Sequence, residues 1–253
     1  MPRIKKVHDF NSVINRLKNI SIYPGSIETI KTYQTSAGLY PLIKIVLGKG
    51  NSLRALISAG IHGDEPGGIE SILNFLRNKK YLDYIGEWEI TLLPCINPYG
   101  YEFGTRTNHQ GNDLNRLFMV KNPPLEVSFA QSILDTGFNL IIDLHEDNES
   151  QGYYLYQNGL GKKYERIGLE ILNSLDGIMP INLETEIAGS QAYQGVIGKE
   201  LEISSMDWWP MALYGLSKGT QMCLTLETSS LFDMETRISA HLTAIKTAFK
   251  HFQ

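Results

Sequence analysis

Cysteine is scarce: the 253 residues contain two, Cys95 and Cys223, and each falls inside an apolar, strand-like run. Thiols in such surroundings read as buried and reduced, and nothing points to the disulfide-dependent scaffold of a small secreted protein. Also missing is any stretch approaching the roughly 20 apolar residues needed to span a bilayer. Arg3, Lys5 and Lys6 give a charged start, but no apolar run of signal-peptide length follows them. The expectation is a cytoplasmic chain with no membrane partner. An excess of charge of one sign is lacking too. The 23 Lys and Arg against 27 Asp and Glu leave a formal net charge of −4, with the basic residues scattered along the chain. That excludes the basic footprint a nucleic-acid partner requires. No internal repeat, low-complexity tract or Pro/Gly/Ser-rich linker divides the chain, so residues 1–253 are expected to form a single catalytic domain.

What is present suits a globular core, with 42% hydrophobic residues. Runs with strand character lie at 42–47, 53–59, 88–95, 140–144 and 222–226, several of them apolar on both faces. Helical spacing links Ile69, Ile72, Leu73 and Leu76, then Val127, Ala130, Ile133 and Leu134, then Ile167, Ile171, Leu172 and Leu175. A last such pattern, Ile238, Leu242, Ile245 and Phe249, predicts a C-terminal helix. Strands alternating with helices predict an α/β fold, a three-layer α/β/α arrangement around a mixed, largely parallel central sheet. The stretch from Glu184 to Gly219 reads as long loops of the kind that build specificity in α/β enzymes.

The chemistry concentrates at strand ends. After the run 53–59 comes Gly60-Ile61-His62-Gly63-Asp64-Glu65-Pro66. A His and a carboxylate three residues apart, where a strand turns into a helix, can converge on one ion at the sheet edge where open α/β sheets bind ligands. Pro66 fits the first helical turn. The run 138–144 leads into His145, a second imidazole at the same kind of edge. Two His and one Glu leave a fourth position open for water, the ligand set of a catalytic zinc. Asp143, two residues before His145, points to the same side of the strand and could orient an imidazole. Each residue alone has an ordinary reading: a hydrogen-bonded surface His, or a Glu favoured by a helix dipole.

The combination resembles the zinc metallocarboxypeptidases of the carboxypeptidase A type and their relatives, the aspartoacylases and succinylglutamate desuccinylases. The matching elements are His62-Gly63-Asp64-Glu65, Asn97-Pro98-Tyr99-Gly100, the run Arg106 to Arg116, the His145 strand end and Thr225-Leu226-Glu227. The resemblance implies one zinc ion held by His62, Glu65 and His145. It implies that Asn115 and Arg116 grip the carboxylate of the released residue and that Arg106 polarises the scissile carbonyl. Glu227 would be the general base that later protonates the leaving amine. Relatives also use a loop tyrosine; Tyr193 and Tyr214 lie in the right region, and the pattern selects neither. Trp208 and Trp209 read as core or pocket wall, His8, His241 and His251 as surface residues.

The reading with most support is a zinc-dependent metallocarboxypeptidase or peptide amidase that cleaves an amide beside a carboxylate-bearing residue. Alternatives are an N-acyl amino acid deacylase, a murein peptide amidase and an inactive metal-binding protein. Deacylase relatives commonly carry a further C-terminal β-rich domain, whereas this chain ends about 26 residues after Glu227 in a helical pattern, which favours the peptidase side. The expected partner is a peptide or N-acyl amino acid with a free carboxylate.

Overall fold

In a computed structural model, residues 5–159, 166–198 and 207–252 are described. Arg3 and residues 199–206 of the Glu184–Gly219 stretch lie outside them. The sheet strands are β1 (Gly25–Thr35), β2 (Gly38–Leu47), β3 (Leu53–Ala59), β4 (Trp88–Leu93), β5 (Leu140–Asp147) and β6 (Tyr154–Gly159). After the small hairpin β7 (Glu186–Ile187) and β8 (Ser190–Gln191) come β9 (Val196–Gly198) and β10 (Met222–Ser229). The sheet runs β1-β2-β4-β3-β5-β10-β6-β9. Its central pairings β4–β3, β3–β5 and β5–β10 are parallel, as is β6–β9, while β1–β2, β2–β4 and β10–β6 are antiparallel.

Side chains alternate between the two faces, and each face has its own helices. Ile57, Leu92, Ile142 and Leu224 pack under α1 (Phe10–Asn19), α2 (Pro66–Arg77), α5 (Ile167–Asn173) and α7 (Met234–His251). Their neighbours Leu56, Leu93, Ile141 and Cys223 face α4 (Leu125–Leu134) and α6 (Met211–Ser217). The fold is therefore the expected three-layer α/β/α arrangement with a mixed, largely parallel sheet. Both cysteines are free and buried, Cys95 in the first cluster and Cys223 in the second, with the sheet between them. Among the described residues no helix is long and apolar enough to cross a membrane.

Several expectations needed correction. The strands through 140 and 222 do not stop at Leu144 and Leu226: their parallel pairing continues to Asp147↔Ser229, so His145 and Glu227 lie within strands. Ladder hydrogen bonds from the adjacent strand satisfy the backbone there despite the charged side chains. On α7 the buried face is Ala240, His241, Ala244, Ile245, Ala248 and Phe249, with Ile238 and Leu242 only half-buried at its edge. Three small alanines let the helix approach closely, a face that weighting by hydrophobicity misplaces. His241 is fully buried, not a surface residue.

Candidate active site

The turn after β3 is built by backbone contact. Gly60 adopts φ +63°, a left-handed conformation that glycine enters without a Cβ penalty. A Cβ on Gly63 would collide with the backbone of Gly100. Gly100 lies in the first turn of α3 (Pro98–Phe103), which is capped by Asn97: Oδ1 accepts from Gly100 N at 2.9 Å, and Asn97 N donates to Gly60 O at 2.7 Å. The two glycine-bearing motifs are thus the two halves of one contact that sets the direction of residues 62–65. Glu65 stands at the N-cap of α2 but makes no side-chain cap. Its carboxylate is turned to the histidines, and Glu146 of β5 replaces it, accepting from Gly67 N at 2.8 Å.

His62, Glu65 and His145, all buried, bring one ligand atom each within 4.8 Å of one another and could hold a metal ion. His62 Nδ1 lies 2.7 Å from Glu65 Oε1, and His145 Nδ1 lies 2.9 Å from Glu65 Oε2. The outer nitrogens also meet carboxylates. His62 Nε2 is 3.2 Å from Asp113 Oδ1 and His145 Nε2 is 2.9 Å from Asp143 Oδ2, itself held by Ser58 Oγ at 2.7 Å. An imidazole facing an acceptor on both nitrogens must be doubly protonated. Burial opposes that charge at both rings, but Asp113 and Glu65 outweigh it at His62, and Asp143 and Glu65 at His145, so both pKa values are raised. At Glu65 burial is overcome by His145 and His62, which hold the carboxyl down at about 2. The set fits a divalent metal: both rings aim Nδ1 inward, and both Nε2–H groups are anchored outside, as in carboxylate–histidine–zinc arrangements.

Pairing across the sheet fixes the rest. Glu227 sits in register with His145 on one side and Tyr154 on the other, and Thr225 with Asp143 and Tyr156. Burial pushes the Glu227 carboxyl up to about 7, with His145 opposing and Glu65 adding to the rise. Arg106 is tied to the cluster through Asp113, Nε to Oδ2 at 3.0 Å, and approaches Glu65 Oε1 at 3.6 Å. Asn115 Oδ1 accepts from Met211 N at 2.8 Å, fastening the start of α6. Arg116 lies with its guanidinium carbon 4.0 Å from the centre of the Trp208 ring. All seven residues expected at the site, from His62 to Glu227, line one cavity of about 650 Å³.

Tyr193 and Tyr214 are not among its lining residues: Tyr193 is exposed, and the Tyr214 hydroxyl donates to Asp135 at 2.8 Å. Tyr154 and Tyr156 line it instead, brought in by β6, a strand absent from the expected set. Sequence reasoning assigns Asp113 no role; its place two residues before Asn115 in the Arg106–Arg116 run is the available signal. Nothing local marked Ser58.

Residues 51–196, more than half of the chain, match the succinylglutamate desuccinylase/aspartoacylase catalytic domain. No curated protein sequence matches. Solved structures share the fold. A candidate metallopeptidase from Shewanella denitrificans superposes with TM-score 0.80 at 21% identity, covering 96% of this chain and 90% of the other. A metallo-carboxypeptidase from Pseudomonas aeruginosa, in complex with (2-guanidinoethylmercapto)succinic acid, gives 0.68 at 16% identity over 95% and 67%. A succinylglutamate desuccinylase/aspartoacylase from Rhodobacter sphaeroides gives 0.57 at 17% over 85% and 59%. By the extent of the sequence match, the chain belongs to the succinylglutamate desuccinylase/aspartoacylase catalytic-domain family of hydrolases.

Proposed function

We propose that the whole chain acts as one zinc-dependent catalytic domain of carboxypeptidase or peptide amidase type, cleaving an amide beside a residue that carries a free carboxylate. The observation that carries this reading is the inward pair of imidazoles on Glu65, each anchored on its outer nitrogen, with Glu227 one strand away in register. His62, Glu65 and His145 would hold the ion. When bound, zinc supplies Lewis acidity and lowers the pKa of water towards about 7. Glu227 is the group placed to take the proton from attacking water and return it to the leaving amine nitrogen. A raised carboxyl pKa suits both tasks. Arg106, held from behind by Asp113, donates to the oxyanion that develops on the scissile carbonyl. Arg116 and the Asn115 amide take the carboxylate of the released residue, a task suited to a planar fork of donors. The succinate derivative bound to the Pseudomonas relative supports a carboxylate-bearing substrate.

The test is mass spectrometry of products from free-ended peptides, C-terminally amidated peptides, cell-wall tripeptides and N-acyl amino acids, with and without a zinc chelator. Chelator-sensitive loss of single C-terminal residues, from free carboxylates only, is the expected result. Cleavage of acyl amino acids or wall peptides alone would move the substrate class while leaving the metal chemistry. No cleavage of anything would remove the enzyme reading.

A further inference from the structure

The two arginines of the cavity are held in opposite ways. Arg106 is engaged by carboxylates, Asp113 at 3.0 Å and Glu65 at 3.6 Å, so much of its charge is already answered within the protein. Arg116 has no carboxylate at ion-pair distance among the described residues. Its recorded contacts are the Asn115 carbonyl at 3.2 Å from Nη1 and the face of Trp208 at 4.0 Å. A guanidinium held by its flat side keeps its edge N–H groups and its charge available, which a salt bridge would not.

Trp208 is unusual for its type. It is 38% exposed at the cavity wall, yet the backbone beside it is pinned to the segment that carries Arg116. Trp209 forms a parallel bridge with Leu117, its carbonyl accepts from Phe118 N at 3.2 Å, and Met211 N donates to Asn115 at 2.8 Å. The bridge, of which the Phe118–Trp209 bond is part, and the Met211–Asn115 bond together hold residues 209–211 against residues 115–118. The backbone next to Trp208 is therefore tied to the segment of the arginine, and the indole lies against the guanidinium at the opening.

We propose that Trp208 is the positioning residue of the carboxylate clamp: its ring holds Arg116 from the flat side, so that the guanidinium edge, which makes no ion pair among the described residues, stays fixed for an incoming carboxylate. This rests on the reading of Arg116 as the carboxylate-binding group. A cation–π contact of this kind contributes uniform binding, felt by substrate and transition state alike, so its loss appears in KM and not in kcat.

The experiment titrates succinate, a minimal dicarboxylate, into the zinc-loaded full chain by calorimetry, comparing wild type with Trp208→Ala, Trp208→Phe and Arg116→Ala. Zinc affinity is measured for each. The expected outcome is succinate binding weakened about 3- to 30-fold in Trp208→Ala, within about threefold of wild type in Trp208→Phe, and lost most fully in Arg116→Ala, with zinc affinity unchanged throughout. Where a substrate is turned over, Trp208→Ala raises KM by the same factor and leaves kcat within about twofold. Wild-type succinate affinity in Trp208→Ala overturns the inference alone, provided Arg116→Ala is weakened. Unchanged binding in Arg116→Ala, or no binding to wild type, removes the clamp reading as well. A Trp208→Phe variant as weak as Trp208→Ala, or zinc binding weakened in either, would replace stacking with a structural role and overturn the inference.

Discussion

Each histidine of the cluster has a division of labour between its two nitrogens: Nδ1 faces Glu65, and Nε2 is committed to Asp113 or Asp143. The outer bonds choose the tautomer that a metal needs. Asp113→Asn and Asp143→Asn should each weaken zinc binding by about 10- to 100-fold, read by competition with a chromogenic chelator. Unchanged affinity in both would mean that the carboxylates do not set ring orientation. Glu227 is the second residue whose environment bears on its proposed role. Burial brings its carboxyl up to about 7 in the metal-free chain, and a nearby dication favours the ionised form and lowers it. The base must be ionised, so kcat/KM should fall on acidification with a midpoint no higher than about 7. A rate that climbs as the pH drops would contradict Glu227 as base.

At the scale of elements, α7 reaches the site from the far face of the sheet. Arg237 Nη1 donates to Glu146 Oε1 at 2.7 Å; Glu146 Oε2 accepts from the first turn of α2, and Glu146 N donates to Glu65 Oε2 at 3.2 Å. One buried carboxylate thus joins α7, α2 and β5 around a proposed ligand. Arg237→Ala leaves Glu146 buried without its cation and should cost about 3–5 kcal/mol of unfolding free energy, measured in urea. A loss under about 1 kcal/mol would mean that water or rearrangement compensates. These connections explain what the sequence could and could not reveal. His62, Glu65, His145 and Glu227 were legible as candidates because each follows an apolar run and the motifs come in a recognisable order. Strands β3, β4, β5 and β10 were legible because each has an unbroken apolar face, such as Trp88, Ile90 and Leu92 on β4 or Met222, Leu224 and Leu226 on β10. Strand β1 was not, because it lies at the edge with Gly25–Ile30 exposed, and its polar residues carry no burial signal. The role of Arg237 was invisible because its partner lies 91 residues away, and no local pattern encodes that pairing.

For the whole molecule, a metal that binds only the folded chain should stabilise it, by about 2.7 kcal/mol at a free concentration a hundredfold above Kd. Chelation should lower Tm accordingly. A separate pH dependence comes from His241, whose Nδ1 meets the Tyr153 hydroxyl at 3.0 Å while its buried Nε2 has no hydrogen-bond partner among the described residues. Burial, only partly countered by the His145 backbone, lowers its pKa to about 3. Between that value and the ordinary 6.5 the unfolded chain binds a proton that the folded chain refuses. Stability is therefore lost as pH falls through this window, by up to about 1.4 kcal/mol per pH unit from this residue. In chelator, His241→Gln should flatten the acid side of the stability curve measured by urea unfolding. An unaltered slope would mean that His241 is protonated in the fold.

The proposal that Glu227 moves the proton at a zinc held by His62, Glu65 and His145 is tested on Glu227→Gln, by measuring bound zinc and turnover on one preparation. One zinc per chain with hydrolysis reduced about 10²- to 10⁴-fold is the expected result. Full zinc occupancy with wild-type turnover would contradict it.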